Sequence, residues 1–328
     1  MCQVNRRVGA VASTAMVWVL VLGPRAAVGQ AFWEDAEKLP MAPTWLVEKA
    51  KLPPYSPPMT PEGVPDLQGV WGGPGGDGLS YLEDHDFVDV TTPAQETFVS
   101  DPPDGKVPYT PWALAKRNEI LAGLGRGWAG ESAERLYSSP AAYCLSFMPR
   151  FAFNELEIVQ QPGFVIMLGE EGYRVIPTDG RSPISEDVKF WYGNSRGRWE
   201  GDSLVVEVSS LNGLGWLDST GIYFTENARM TERWRLVDPD TIDYEITIED
   251  DTVYTRPWKM NFARRRPGTG PDTRRTRLPS AVAIDAPRLD DPYAEEIWED
   301  ACYEGNKEGP AALWAFGYDW FRGVTPPE

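Results

Sequence analysis

The chain has 328 residues, with 49 Asp and Glu against 31 Lys and Arg, a net charge of −18, and a single histidine, His85. A polyanion of this size repels phosphate backbones and anionic lipid heads, which argues against nucleic acid and membrane surfaces as partners. With one His and 3 Cys there is no ligand spacing for a zinc centre, and a Ser-His-Asp triad would have to be built on His85 alone. What remains is cofactor-free chemistry by Asp, Glu and Tyr with Arg, or plain ligand binding.

Residues 1–29 read as an export leader. Arg6 and Arg7 form a basic start, Val8 to Leu22 is an uncharged, mostly apolar run ended by Gly23-Pro24, and Ala27-Val28-Gly29 offers small residues for cleavage before Gln30. The run is short for a membrane span, and no later stretch approaches ~18 consecutive apolar residues. The expectation is a periplasmic or secreted protein with no membrane contact once the leader is removed, its charge then falling to −21 as Arg6, Arg7 and Arg25 leave. Two cysteines, Cys144 and Cys302, survive cleavage. In an oxidising compartment they are expected to form a disulfide, the alternative being two buried free thiols.

Residues 30–115 are the least regular part, carrying Pro53-Pro54, Pro57-Pro58, Gly72-Gly73-Pro74-Gly75-Gly76 and Pro102-Pro103. Such a segment wraps a core in turns and extended stretches. The glycine cluster lacks the Lys-Ser/Thr of a phosphate loop. One helix is expected over Pro111 to Gly123, with Trp112, Leu114, Ala115, Ile120 and Leu121 on its apolar face. Residues 116–328 form the β domain. Strands are expected over Leu156–Val159, Phe164–Leu168 and Tyr173–Ile176, before the tight turn Asp179-Gly180. Phe190–Tyr192, Arg198–Glu200 and Ser203–Val208 follow, the last two joined by Gly201-Asp202. Arg229–Val237 pairs with Thr241–Glu249 through Asp238-Pro239-Asp240. The fold class is mainly β, an antiparallel meander closing into a barrel-like domain of the calycin or lipocalin kind. The tail from Pro292 to Phe321 reads as partly helical and would pack over the sheet. Arg264-Arg265-Arg266 and Arg274-Arg275 sit among Pro and Gly and read as solvated loop.

The most informative stretch for chemistry is Arg229 to Leu236. Strand alternation puts Glu232 on one face with Met230, Trp234 and Leu236, and the partner strand puts Tyr244 on a face with Ile242, Ile246 and Ile248. A carboxylate among apolar neighbours must be paired, or its pKa must rise toward the range of a general acid or base. Two readings therefore stand for Glu232: a wall residue bonded to Arg or Tyr, and a proton-transfer group assisted by Tyr244, Asp218 or Tyr192. Asp218, between Trp216-Leu217 and Ser219-Thr220-Gly221, is not explained by one standard turn. Asp179 and Asp202 are, because Asp beside Gly bonds its own backbone. Tyr192, Asn194 and Ser195 are expected in a loop flanked by aromatics, where polar groups orient a ligand. Trp199, Trp216 and Trp234 are candidates for stacking a sugar ring or a flat apolar molecule, with core packing as the plainer role.

The run Gly193-Asn194-Ser195-Arg196-Gly197-Arg198-Trp199-Glu200-Gly201-Asp202-Ser203-Leu204-Val205-Val206 is distinctive. So are Asp179-Gly180-Arg181, Thr231-Glu232-Arg233, Tyr254-Thr255-Arg256-Pro257-Trp258 and Ala301-Cys302-Tyr303-Glu304-Gly305-Asn306. Together they resemble a family of exported, mostly uncharacterised bacterial proteins sharing a "WEGDTLVV" core, over Asp101 to Asn306. The resemblance implies export and a β-rich fold and no particular reaction. Family members usually carry His near Pro183 or Ile184, at Asn194 and Tyr303, and around Thr225 to Arg229. This chain has none of these, which leaves Asp179, Asp218, Glu226, Glu232 and Glu304 as its acids. The expectation is an exported, cofactor-free enzyme using carboxylate and tyrosine acid-base chemistry on a small neutral or apolar cyclic molecule. The alternatives are a non-catalytic small-molecule binder and a carbohydrate-active protein.

Overall fold

Alternating burial along the strands organises the structure, a computed structural model that describes residues 38–74, 81–86, 94–124, 137–138, 148, 155–169, 172–267, 269 and 319–320. Two antiparallel sheets carry the core. The smaller has four strands in the order β1-β4-β5-β6: β1 (Gly69–Trp71), β4 (Leu156–Gln161), β5 (Phe164–Gly169) and β6 (Gly172–Pro177). The larger has six in the order β2-β11-β10-β9-β8-β7: β2 (Val99–Asp101), β7 (Asn194–Glu200), β8 (Ser203–Ser209), β9 (Arg229–Asp238), β10 (Thr241–Glu249) and β11 (Trp258–Arg265). A short parallel pair joins β3 (Tyr137–Ser138) to β12 (Asp319–Trp320).

The expected strands from Leu156 to Val208, Phe190–Tyr192 excepted, and the Arg229–Glu249 hairpin are present, most extended by a residue or two. Phe190–Tyr192 is not a strand; Phe190 makes only an isolated bridge to Leu211. Asn194 and Ser195, expected in a loop, begin β7. The wrap also supplies β1 and β2 as edge strands of the two sheets. It adds a helix not foreseen, α1 (Ala42–Lys49), whose N-terminal amides at Met41 and Thr44 donate to the Glu96 carboxylate at 2.8 and 3.3 Å. That anion satisfies amides the helix cannot and opposes its dipole. The expected helix is α2 (Pro111–Ala122), but its buried residues are Ala113 and Ile120, and Leu114 is exposed. The tail, Cys144 and Cys302 lie outside the described residues, Asp319 and Trp320 excepted.

Inward residues of both sheets meet in one core: Trp71, Leu156, Ile158, Val165, Met167 and Ile176 from the smaller, Leu204, Val206, Trp234, Tyr244, Ile246 and Phe262 from the larger. The sheets approach each other along both flanks. At one, a Cβ on Gly197 of β7 would lie 2.9 Å from methyls of Ile176 and Thr178, so glycine gives the end of β6 room to cross β7. At the other, the Gly72 amide donates to the Arg265 carbonyl at 2.7 Å, and Arg264 donates to the Trp71 carbonyl at 3.1 Å.

Candidate functional site

Glu232 is fully buried in β9 with its Cα partners Val206 and Ile246 on either side. A carboxylate there requires donors, and β6 supplies them. The strand alternates Tyr173 out, Arg174 in, Val175 out, Ile176 in. Arg174 Nη1 and Nη2 donate to Glu232 Oε1 and Oε2 at 3.2 and 2.7 Å. Tyr244 Oη donates to Oε1 at 2.9 Å, and Arg174 Nη2 also donates to Ser195 Oγ at 2.9 Å. The sequence reading of Glu232 and Tyr244 as facing neighbours therefore holds, and Ser195 joins them from β7. Arg174 was missed; its signal was the alternation that places it beside Ile176.

Electrostatics follow from burial. Desolvation, with the Glu232 charge adding to it, pushes the Tyr244 hydroxyl well above its ordinary range, so it stays a donor. Arg264 is fully buried too, correcting its reading as solvated loop: β11 runs through it and points it inward with Phe262. Burial pulls its pKa down to about 9, against the opposing influence of Tyr244, Glu155 and Glu232. The ring of Trp234 lies 4.5 Å from that of Tyr244, with the Arg264 guanidinium 5.8 Å from its centroid.

Asp218 belongs to a different network. Its carboxylate is buried and accepts from the amides of Leu82, Thr220 and Ile222 at 3.0–3.1 Å and from the Thr220 hydroxyl at 2.8 Å. Burial raises its pKa to about 6. Tyr192 is partly buried against the main core. Asn194 is buried and its Oδ1 accepts from Arg196. Trp199 packs against the core from β7, while Trp216 and Trp234 are wholly inside it. The structure thus gathers Glu232, Tyr244, Ser195 and Trp234 on the inner face of the larger sheet, and leaves Trp216 in the core and Trp199 packed against it.

Turn chemistry accounts for Asp179. Its Oδ1 accepts from the Arg181 amide at 3.2 Å around Gly180 at φ +78°, and the Arg181 guanidinium beside it lowers its pKa to about 2.

A second polar network, not foreseen, lies on the outer face. Lys49 of α1 donates to Asp243 at 3.1 Å and to Asn261 at 2.6 Å, and Trp45 Nε1 donates to Asp243 at 3.0 Å. Asn261 Nδ2 bonds Asp243 and the Tyr244 carbonyl. The α1 helix is thereby fastened over β10 and β11.

No protein-family model matches the chain. None of the curated proteins matches it significantly.

Proposed function

We propose that the protein is an exported, barrel-like β scaffold that binds a small molecule without transforming it. The observation that carries this reading is the state of Glu232: both oxygens accept charge-assisted hydrogen bonds from one guanidinium, and the side chain has no exposed surface. A general base needs a lone pair within reach of substrate. Here Arg174 and Tyr244 take three of the carboxylate's roughly four lone-pair positions, and complete burial keeps solvent-borne substrate from the remaining one, as in a buried clasp that joins two sheets. The approach of the sheets along both flanks supports the barrel-like arrangement.

The ligand class is a small neutral or apolar cyclic molecule, for which an exposed strip on the outer face of the smaller sheet is suited. Leu168 and Tyr173 are Cα partners there, Val175 is paired with Ile166, and Tyr173 is 68% exposed. Adjacent aromatic and aliphatic side chains on an exposed sheet face suit a ring lying across them.

A direct test is a thermal-shift screen of neutral cyclic compounds and oligosaccharides, followed by mass spectrometry of each hit after prolonged incubation. The reading expects hits recovered unchanged, with affinity weakened by Tyr173→Ser. Conversion of a hit, lost in Glu232→Gln at equal folded concentration, would overturn it.

A further inference from the structure

The network that fastens α1 over the larger sheet brings a primary amine and a carboxamide together across a carboxylate. Lys49 Nζ lies 2.6 Å from Asn261 Oδ1, and 3.1 and 3.2 Å from the two Asp243 oxygens. Asn261 Nδ2 donates to Asp243 Oδ1 at 2.9 Å and to the Tyr244 carbonyl at 2.7 Å. Both amide hydrogens are thereby used, which turns the carbonyl end of Asn261 toward the lysine. Trp45 Nε1 donates to Asp243 Oδ1 at 3.0 Å, and Arg235 Nη2 stands 3.7 Å from Oδ2. A tether between helix and sheet would need only Lys49 and Asp243. Asn261, with no exposed surface, adds an electrophile to them. Trp45, itself buried and packed with Val237, Ala263 and Leu52, brings apolar cover to Asp243.

We propose that Lys49 and Asn261 form an intramolecular isopeptide bond, Nζ to Cγ, with Asp243 carrying the protons. Asp243 accepts a proton from the Lys49 ammonium, and the freed amine attacks Asn261 Cγ. The Cγ–Nζ bond forms, and the Cγ–Nδ2 bond breaks as Asp243 hands protons to Nδ2. Two protons pass in all from Nζ to the departing nitrogen, which leaves as ammonium. No electrons are exchanged, and no cofactor or co-reactant is required. The lysine keeps 22% of its side chain exposed, so the product has a way out to solvent.

Two features of the geometry favour the reaction. An amine and a carboxamide are unreactive toward each other in dilute solution, and holding them in contact replaces a bimolecular encounter with an intramolecular one. Asp243 touches the attacking and the leaving nitrogen through the same oxygen, the placement that acid and base catalysis of an acyl transfer needs. The bond joins residues 212 apart in sequence and ties the N-terminal wrap covalently to β11. Closing so long a loop restricts the unfolded chain.

The test is a peptide map of the full chain, denatured, reduced and digested with trypsin. The bond blocks cleavage after Lys49, so residues 39–51 should appear joined to residues 260–264 in one branched peptide. Its mass should fall short of the two separate peptides by one ammonia, about 17 Da. The branched peptide decides, and not the intact mass, because an N-terminal Gln30 exposed by leader cleavage also loses ammonia on cyclising. Lys49→Arg keeps a cation for Asp243 but cannot form the amide, and Asp243→Ala removes the proton carrier. Each should release 260–264 as a free peptide. Free 39–49 and 260–264 as the sole products of the folded parent protein would overturn the proposal, and that measurement depends on no variant. A branched peptide that persists in Asp243→Ala would overturn the role given to Asp243.

Discussion

Arg174 and Glu232 lie on strands of two different sheets and meet through two hydrogen bonds of 3.2 and 2.7 Å, with neither side chain open to water. The pair is made possible by a residue that contributes nothing but space. Gly197 lets the end of β6 settle on β7, and Arg174, two residues back from Ile176, then reaches across to β9. A buried ion pair gains little over apolar packing of the same volume, but removing one partner strands the other. The structural weight of the clasp therefore appears only when it is half broken.

Gly197→Ala places a methyl 2.9 Å from Ile176 and Thr178 side-chain carbons, closer than packed carbons lie, so β6 must shift. The expected cost is about 1–3 kcal/mol in urea unfolding. An alanine variant as stable as the parent would show that β6 does not depend on this approach.

Alkaline titration reads the buried phenols. Burial raises the pKa of Tyr109, Tyr223, Tyr244 and Tyr254, and in the unfolded chain each would ionise near 10. The folded state then holds protons that the unfolded state releases, so stability is full below about pH 10 and falls above it. Ultraviolet phenolate absorbance should show these four tyrosines appearing together with unfolding. Early, independent ionisation of all thirteen tyrosines in native protein would contradict their burial.

The α1 helix rests on Lys49. Lys49→Met takes from Asp243 and Asn261 the cation that ties them to the helix, leaving Asp243 only the longer contact to Arg235 at 3.7 Å, and about 1–3 kcal/mol of docking should be lost. Limited proteolysis should then cut within residues 38–52 before the β9–β10 hairpin is touched. Unchanged cleavage would mean that Trp45 and Glu96 hold the helix without Lys49.

How much of this was legible in the sequence depended on the range of the interaction. The β9–β10 hairpin was readable because period-two alternation and an Asp-Pro-Asp turn are local, and the inward direction of Glu232 and Tyr244 followed from the same alternation. Its main partner was not readable, since Arg174 is 58 residues away on another sheet and no local pattern specifies how two sheets stack. The α1 helix was hidden because it is one short element with no side-chain cap of its own, closed instead by Glu96 from a distant segment. Arg264 was misread through its neighbours: Pro267 and Gly268 suggest a loop, yet β11 continues to Arg265.

Export and the cysteines give a covalent prediction. In an oxidising compartment Cys144 and Cys302, the two cysteines left after leader cleavage, are expected to pair. Non-reducing mass analysis of exported protein should find the two joined and the chain beginning near Gln30. Two alkylatable thiols in native protein, or a chain retained from Met1, would contradict it.

The central claim, that Glu232 is a clasp between sheets and not a proton-transfer group, is tested most directly by a double-mutant cycle on Arg174 and Glu232 in urea unfolding. Glu232→Gln preserves the acceptor for Tyr244 but leaves Arg174 without its carboxylate, and Arg174→Met leaves the Glu232 carboxylate with only the Tyr244 hydroxyl. Each should cost about 3–5 kcal/mol. The double variant, with no stranded charge, should be more stable than the sum of the singles by about 1–3 kcal/mol. A Glu232→Gln protein within about 0.5 kcal/mol of the parent and uncoupled from Arg174 would contradict the account and return Glu232 to the role of catalytic acid or base.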